Sequence, residues 1–186
     1  MKKLIFTLIV ILTSALCVQA EEHLKFMGIP LTGNINSFQT KLEAKGCKID
    51  NFYNRYASAG TRIFKGQFAG NDARIIVSYN NKDKNVYRAK VVIEYTNKDL
   101  FNQKEYELAG MLREKYSSMY INSDDYGFSI HVTNNLGTVY LGHIDIFDDT
   151  QDPSYYNNYE TTYAIHIDYW DAINSEKNDD DRMEDL

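Results

Sequence analysis

The most regular stretch of the sequence, residues 85–95, alternates β-branched or aromatic residues with charged ones. This two-residue period predicts a β-strand with one face in the core and the other in solvent. Its last five residues, Val-Val-Ile-Glu-Tyr at 91–95, are echoed by Ile-His-Ile-Asp-Tyr at 165–169. The return of this strand near the end of the chain indicates a duplicated unit.

The segments before both copies of the strand predict the same order of elements. In the first half, apolar residues at helical spacing predict a helix over 35–45, capped by Asn34. Strands are predicted at about 62–69 and 73–79, joined by a hairpin turn of composition Gly-Asn-Asp, before the strand at 86–95.

In the second half, Asn102 and Glu105 form a variant of the capping box and predict the start of a second helix. The strands predicted after this helix lie at about 126–132, 138–147 and 159–170. The two helices match at an offset of 70 residues and the two closing strands at an offset of 74. Because these offsets nearly agree, they indicate a duplication on the scale of a domain.

We therefore expect one α+β domain over residues 23–172, made of two repeats at about 31–96 and 100–170. Each repeat places one helix before three strands, and one helix covers the apolar face of such a meander only in part. Two repeats side by side would form one antiparallel sheet with the helices packed on one face. Residues 175–186 contain six acids and two basic residues, which predicts a disordered acidic tail.

The tandem order of a helix and a β-meander resembles the beta-lactamase inhibitor protein-like fold. The sequences Phe-Met-Gly-Ile-Pro at 26–30 and Phe-Lys-Gly-Gln-Phe-Ala-Gly at 64–70 are similar to uncharacterised exported bacterial proteins grouped near that fold. The resemblance covers most of residues 24–170. It implies a protein-binding sheet face, since the inhibitors bind an enzyme through the concave face of their sheet. The chain lacks the disulfides of the inhibitors, and the resemblance assigns a role to none of its residues.

Residues 1–20 have the three parts of a secretory signal peptide. Lys2 and Lys3 precede a short apolar run, and Val18 and Ala20 occupy the −3 and −1 positions of a cleavage site. We therefore expect an exported protein, periplasmic or extracellular, without stable membrane insertion after cleavage. Lipoprotein processing at Cys17 and an uncleaved membrane anchor are the alternatives.

Loss of residues 1–20 would leave 18 basic and 26 acidic residues, a net charge of −8. Because such a surface repels polyanions, we expect no nucleic acid among the partners. Cys47 would be the one remaining cysteine, so an intramolecular disulfide is excluded and stability must come from packing. We interpret Cys47 as a small buried residue after the first helix rather than as a reactive thiol.

Three histidines lie on three predicted strands of the second half, among polar neighbours: His131, His143 and His166. A hairpin centred near residue 154 would set His143 almost opposite His166, with Asp168 on the same face. Histidine and carboxylate side chains on one face predict a metal site or a proton-transfer site, with His143, His166 and Asp168 as the metal ligands. The alternative is that these are hydrated or hydrogen-bonded side chains of an ordinary sheet.

Aromatic residues crowd two loops at corresponding positions of the halves. The first loop contains Phe52, Tyr53 and Tyr56, and the second contains Tyr155, Tyr156 and Tyr159. Tyrosine offers a large contact area with a polar tip, which predicts recognition of a protein or a glycan. The alternative is that the rings cap the ends of the sheet. Acidic residues at 145–152 offer oxygen ligands for calcium, but their spacing favours a solvated loop.

The sequence contains no nucleophile elbow, phosphate-binding loop or cofactor motif. The first hypothesis is therefore a secreted, non-enzymatic binding module for a protein or glycan partner, without a cofactor. The second is a metal-dependent enzyme or metal-binding protein that uses His143, His166 and Asp168. A structural component of the cell envelope is the third.

Overall fold

A computed structural model describes residues 22–116, 121–124, 127–132, 135–146 and 162–183. The helices within these ranges are α1 (Ile35–Glu43), α2 (Lys98–Lys115) and α3 (Ala172–Met183). The strands of the first half are β1 (Lys25–Phe26), β2 (Ile29–Pro30), β3 (Lys48–Ile49), β4 (Thr61–Phe68), β5 (Asn71–Tyr79) and β6 (Val86–Tyr95). Those of the second half are β7 (Ile121–Asp124), β8 (Gly127–Val132), β9 (Gly137–Ile146) and β10 (Thr162–Asp171). None of the described helices combines the length and the apolar character that crossing a membrane requires.

Eight of the strands form one sheet in the order β3-β4-β5-β6-β10-β9-β8-β7, and every neighbouring pair is antiparallel. The expected α+β class, with helices packed on an antiparallel sheet, is thus confirmed. Each half contributes four strands to this sheet, preceded by one helix, in the same order, and the halves meet where β6 pairs with β10. The strand of residues 86–95 therefore lies at the centre of the sheet. The short edge strands β3 and β7 were not predicted, because two to four residues are too few to show an alternating pattern.

The register relates the two halves by an approximate two-fold axis. Val92 pairs with His166 across the β6–β10 ladder, and these two residues also correspond at the offset of 74. One row of paired residues crosses all eight strands at this level: Lys48, Lys65, Arg74, Val92, His166, Gly142, Gly127 and Asp124. We call it the central row, and the axis passes between its fourth and fifth members.

The row next to the central row lies on the opposite face and is apolar from β3 through β8. Its members are Ile49, Phe64, Ile75, Val91, Ile167, Leu141 and Phe128. All of these except the partly buried Ile49 are buried, and they form one core with the inner residues of α1 and α2. Adjacent rows differ in polarity because successive side chains of a strand point to opposite faces. The helices cover the apolar face, and we call the other one the open face.

The ends of the helices explain two differences from the predicted boundaries. Asn34 caps α1 as expected, since its side chain accepts a hydrogen bond from the N–H of Asn36 at 2.9 Å. The prediction that α2 starts at Asn102 is wrong, because the cap is Asn97, whose side chain accepts from the N–H of Leu100 at 2.9 Å. The earlier start places Phe101 in the core, where its ring packs against Tyr95 and Tyr163.

The predicted disordered tail is wrong for residues 175–183, which belong to α3. Asp171 is fully buried and accepts hydrogen bonds from the N–H groups of Leu24 at 2.8 Å and Asn174 at 2.9 Å. The side-chain amide of Asn174 donates to the carbonyl oxygen of Leu31 at 2.8 Å. Hydrogen bonds to buried polar side chains, rather than an apolar stripe, thus fix the start of α3, and composition does not reveal such bonds.

Cys47 is buried beside the β4 strand, as expected for a packing residue. Burial raises the pKa of its thiol, which keeps it protonated and unreactive. A Cβ atom at Gly66 would approach the Cys47 Sγ to 2.8 Å, so the glycine makes room for the sulfur.

Replacement of Ile75 by alanine should lower the free energy of unfolding by about 2–5 kcal/mol, because Ile75 is 0% exposed in the apolar row. Ile76 is the matched control, since it is the next residue of β5 and lies half-buried on the open face. Ile76→Ala should lower the free energy of unfolding, measured by urea-induced unfolding, clearly less than Ile75→Ala does. Equal losses in the two variants would contradict the assignment of the faces.

Candidate functional site

The open face carries the polar rows of the sheet and a groove of about 600 Å³ in its first half. The groove lies over β3, β4, β5 and β6 and has both polar and charged walls. Its lining residues are Gly46, Lys48, Asp50, Tyr53, Lys65, Gly66, Gln67, Asp72, Ala73, Arg74, Val92 and Glu94. A concave surface of this size with convergent polar groups is typical of a binding site.

Three cations of the central row line this groove: Lys48, Lys65 and Arg74. We call them the basic row. Lys48 pairs with Lys65 and Lys65 pairs with Arg74, so they lie side by side on three neighbouring strands. The Arg74 guanidinium forms a salt bridge with Glu94 at 3.1 Å and lies 3.7 Å from the centre of the Tyr53 ring. Within the described parts of the chain, neither Lys48 nor Lys65 has an ion-pair partner.

Phe52, Tyr53 and Tyr56 form an exposed aromatic cluster at the edge of the groove. Phe52 is 60% exposed and Tyr56 is 75% exposed, whereas Tyr53 is 37% exposed and faces Arg74. The Phe52 ring lies 5.2 Å from that of Tyr53 and 5.8 Å from that of Tyr56, with edge-to-face geometry in both pairs. Tyr53 and Tyr56 are therefore exposed rather than buried as caps of the sheet, and their role in recognition stays a prediction.

Two polar side chains fix the backbone that carries the aromatic cluster. Asp50 accepts hydrogen bonds from the N–H groups of Phe52 at 3.1 Å and Tyr53 at 3.2 Å, which starts the 3₁₀ turn Tyr53–Arg55. The Asn54 side chain accepts from the N–H of Ile63 at 3.0 Å and donates to the carbonyl oxygen of Asp50 at 2.7 Å. Because Asn54 bonds to the β4 backbone as a strand would, it ties the cluster to the sheet.

The middle of the open face is held by an ion pair between β6 and β10. Two nitrogens of the Arg88 guanidinium donate to the two carboxylate oxygens of Asp168. The same guanidinium lies 3.9 Å from the centre of the Trp170 ring. Asp168 is buried and already bound in bidentate fashion, so its oxygens are occupied by Arg88 rather than available to a metal.

His166 lies on the open face next to this ion pair. Its ring is 5.4 Å from that of Tyr140, and its Nδ1 is buried with no hydrogen-bond partner among the described residues. Burial lowers the pKa of His166, and the nearby charge of Lys90 lowers it further, against the opposing effect of Asp168. The folded protein therefore favours the neutral imidazole.

The prediction that His143 shares a face with His166 is wrong. His143 pairs with Ile165, one residue away from the expected register, and this slip places its side chain under α2. There its Nδ1 lies 2.7 Å from Glu105 Oε1, and its ring packs edge-on against Phe101. His131 is exposed on β8, with its Nδ1 3.4 Å from Thr138 Oγ1.

The proposed ligands His143, His166 and Asp168 thus do not converge on one point. No group of three or more histidine, cysteine, aspartate or glutamate side chains could hold a metal ion in the portion that the structure describes. The second aromatic group, Tyr155, Tyr156 and Tyr159, lies outside the described residues. So do Asp148, Asp149 and Asp152 of the acidic loop.

The basic row is not visible as a unit in the amino-acid sequence. Lys48 lies on a two-residue strand, and the other two members of the row, Lys65 and Arg74, are 17 and 26 positions away along the chain. Only the pairing of β3, β4 and β5 brings them together. The aromatic residues were detectable because they are close in sequence.

The chain finds no match among known proteins in three comparisons. No protein-family model matches the sequence, no curated protein matches it, and no solved structure matches the fold. The resemblance to beta-lactamase inhibitor protein-like proteins therefore stays a prediction.

The folded state should lose stability through His166 as the pH falls below about 6.5, the ordinary histidine pKa. The lowered pKa of His166 means that the unfolded chain binds this proton at a higher pH than the folded chain. The loss therefore begins near the unfolded value and levels off below the folded one. Urea unfolding at pH 7.5 and 5.0 should show less pH dependence in His166→Gln than in the wild type. An NMR titration that gives His166 a pKa above 6.5 would refute this.

Asn54→Ala should loosen the aromatic cluster and lower the free energy of unfolding by roughly 1–3 kcal/mol, because it removes the partner of the Ile63 N–H. Hydrogen exchange at the Ile63 amide should accelerate as well. Asn51→Ala is the matched control, since Asn51 is an exposed asparagine of the same loop. If the Ile63 amide hydrogen exchanges at the same rate in both variants, Asn54 does not anchor the loop.

Proposed function

We propose that the protein is an exported, non-enzymatic binding module that holds a protein partner on the open face of its sheet. The observation that carries this proposal is the aromatic cluster beside the groove. Large exposed aromatic side chains at a concave surface are typical of residues that dominate the energy of protein interfaces.

The hydrogen bonds that hold the aromatic cluster in place also favour a role in binding. Asp50 and Asn54 hold its backbone in place before any partner arrives. A surface that is already ordered loses less conformational entropy on binding, so more of the contact energy contributes to affinity. Arg74, which lies over Tyr53, further restricts the ring that faces the groove.

The relative orientation of the rings favours a protein over a glycan. A sugar ring stacks on a flat aromatic surface, but the planes of Phe52 and Tyr53 meet at 89° and those of Phe52 and Tyr56 at 65°. The cluster thus presents edges and corners rather than a platform. Such an uneven surface fits between the side chains of a protein partner.

The proposal that the protein is exported rests on the signal-peptide pattern of residues 1–20.

The choice of the open face as the binding surface agrees with the resemblance to the inhibitor-like fold. The inhibitors bind through the concave face of their sheet, and the groove of this chain lies on its open face. The basic row and the aromatic cluster occupy that face here.

Replacement of Phe52 and Tyr56 together by serine should abolish capture of the partner, because both exposed rings of the cluster are lost. The mature chain serves as bait for proteins of the envelope and the culture fluid of the source organism. Tyr106→Ser is the matched control, since Tyr106 is 81% exposed on α2, away from the open face.

A protein retained by the wild type and by Tyr106→Ser, but lost by the double variant, supports the proposal. Circular dichroism and thermal unfolding of all three baits check that they fold equally well. If no protein depends on the two rings for its capture, the open face is not the binding surface.

A further inference from the structure

We propose that the basic row selects a partner segment that carries a carboxylate next to an apolar side chain. This inference rests on the proposed function and names the chemistry that the groove recognises. Lys48 and Lys65 bind the carboxylate, and the exposed rings of Phe52 and Tyr56 contact the apolar side chain.

The arrangement of the three cations is the first support. Directly paired residues on neighbouring antiparallel strands have Cβ atoms about 4.5–5.5 Å apart, and like charges in such pairs destabilise a sheet. Lys48, Lys65 and Arg74 repeat this unfavourable pairing across two successive ladders. An anion between them converts the repulsion into attraction.

The distribution of acidic residues around the groove is the second support. Glu94 is engaged by Arg74, and Asp72 accepts a hydrogen bond from the Gln67 side chain. Asp50 accepts from the backbone of the aromatic loop. In the described ranges, the acids that line the groove thus have other partners, while Lys48 and Lys65 have no ion pair.

Because the chain as a whole is negatively charged, a preference for acidic peptides would point to the basic row. The full sequence has a formal net charge of −6, so its long-range field attracts basic peptides and repels acidic ones. Selection of an acidic peptide must therefore come from a local group of cations. The neighbouring aromatic cluster explains why the acid must be accompanied by an apolar residue.

A random heptapeptide library displayed on phage, panned on the immobilised mature chain at about 50 mM salt, tests the inference. We expect the selected peptides to be enriched at least about threefold in aspartate or glutamate beside an aliphatic or aromatic residue. Elution at about 500 mM salt should remove them, because charge pairs at an exposed site are screened.

The double variant Lys48→Glu/Lys65→Glu should reverse the preference and select lysine or arginine at the same position. Lys48→Met/Lys65→Met should lose the preference for acidic residues and keep the preference for apolar ones. This variant replaces the charge-reversal variant in the test if the charge reversal prevents folding. Lys25→Glu/Lys45→Glu is the matched control, since it makes the same change in net charge at exposed positions outside the groove. It should select the same acidic peptides as the wild type.

The outcomes separate this inference from the proposed function. Peptides that depend on Phe52 and Tyr56 but show no acidic preference would overturn the inference and leave the binding module in place. An acidic preference that survives both Lys48/Lys65 variants would also overturn it. No enrichment with the wild type, together with capture of an oligosaccharide from a glycan array, would mean that the face binds sugars and that both proposals fail.

Discussion

The pairing of β6 with β10 is the contact on which the rest of the molecule depends. It joins two four-stranded halves into one sheet, with Ile93 opposite Ile165 and Val91 opposite Ile167 on the buried side. A slip of β10 by one residue would turn Ile165 and Ile167 toward the open face and bring His166 and Asp168 against the helices. The burial of the four apolar residues therefore fixes the register, and the register fixes which side chains appear on the open face.

The two halves of the central row differ in the residues that they contain. On the β6 side the row continues through Arg74, Lys65 and Lys48, and on the β10 side through Gly142 and Gly127. A Cβ atom at Gly142 would meet the ring of Tyr140 at 2.5 Å, so the glycine makes room for the rings that lean over it. The first half thus carries charge and a groove, whereas the second half carries rings packed over bare backbone.

The sequence alone predicted the elements whose apolar pattern is long and regular. The strand at 86–95 was placed to the residue, and the other long strands within about three residues, because burial of one face imposes a clear alternation. The short strands β3 and β7 were missed, since their position comes from pairing with a neighbour. The helix α3 was missed because its start depends on hydrogen bonds to the buried Asp171 and Asn174.

The candidate site was predictable in part for the same reasons. Tyr53 and Tyr56 were identified because aromatic residues crowded in a loop are visible without knowing the fold. The histidine site failed at a single step, the register across residues 147–161, where an error of one position moved His143 to the wrong face. The basic row needs two ladders to be known at once, so it could not be found before the sheet.

The position of the axis between Val92 and His166 also determines how far the two halves of the open face can differ. In a symmetric dimer of half-sized chains, the residue on the axis would face its own copy, and any groove on one half would be repeated on the other. A single chain that contains both halves can place valine against histidine and build its basic row on one side alone. Among the described residues, the open face is therefore asymmetric: Arg74, Lys65 and Lys48 correspond across the axis to Gly142, Gly127 and Asp124, so the basic row occurs once.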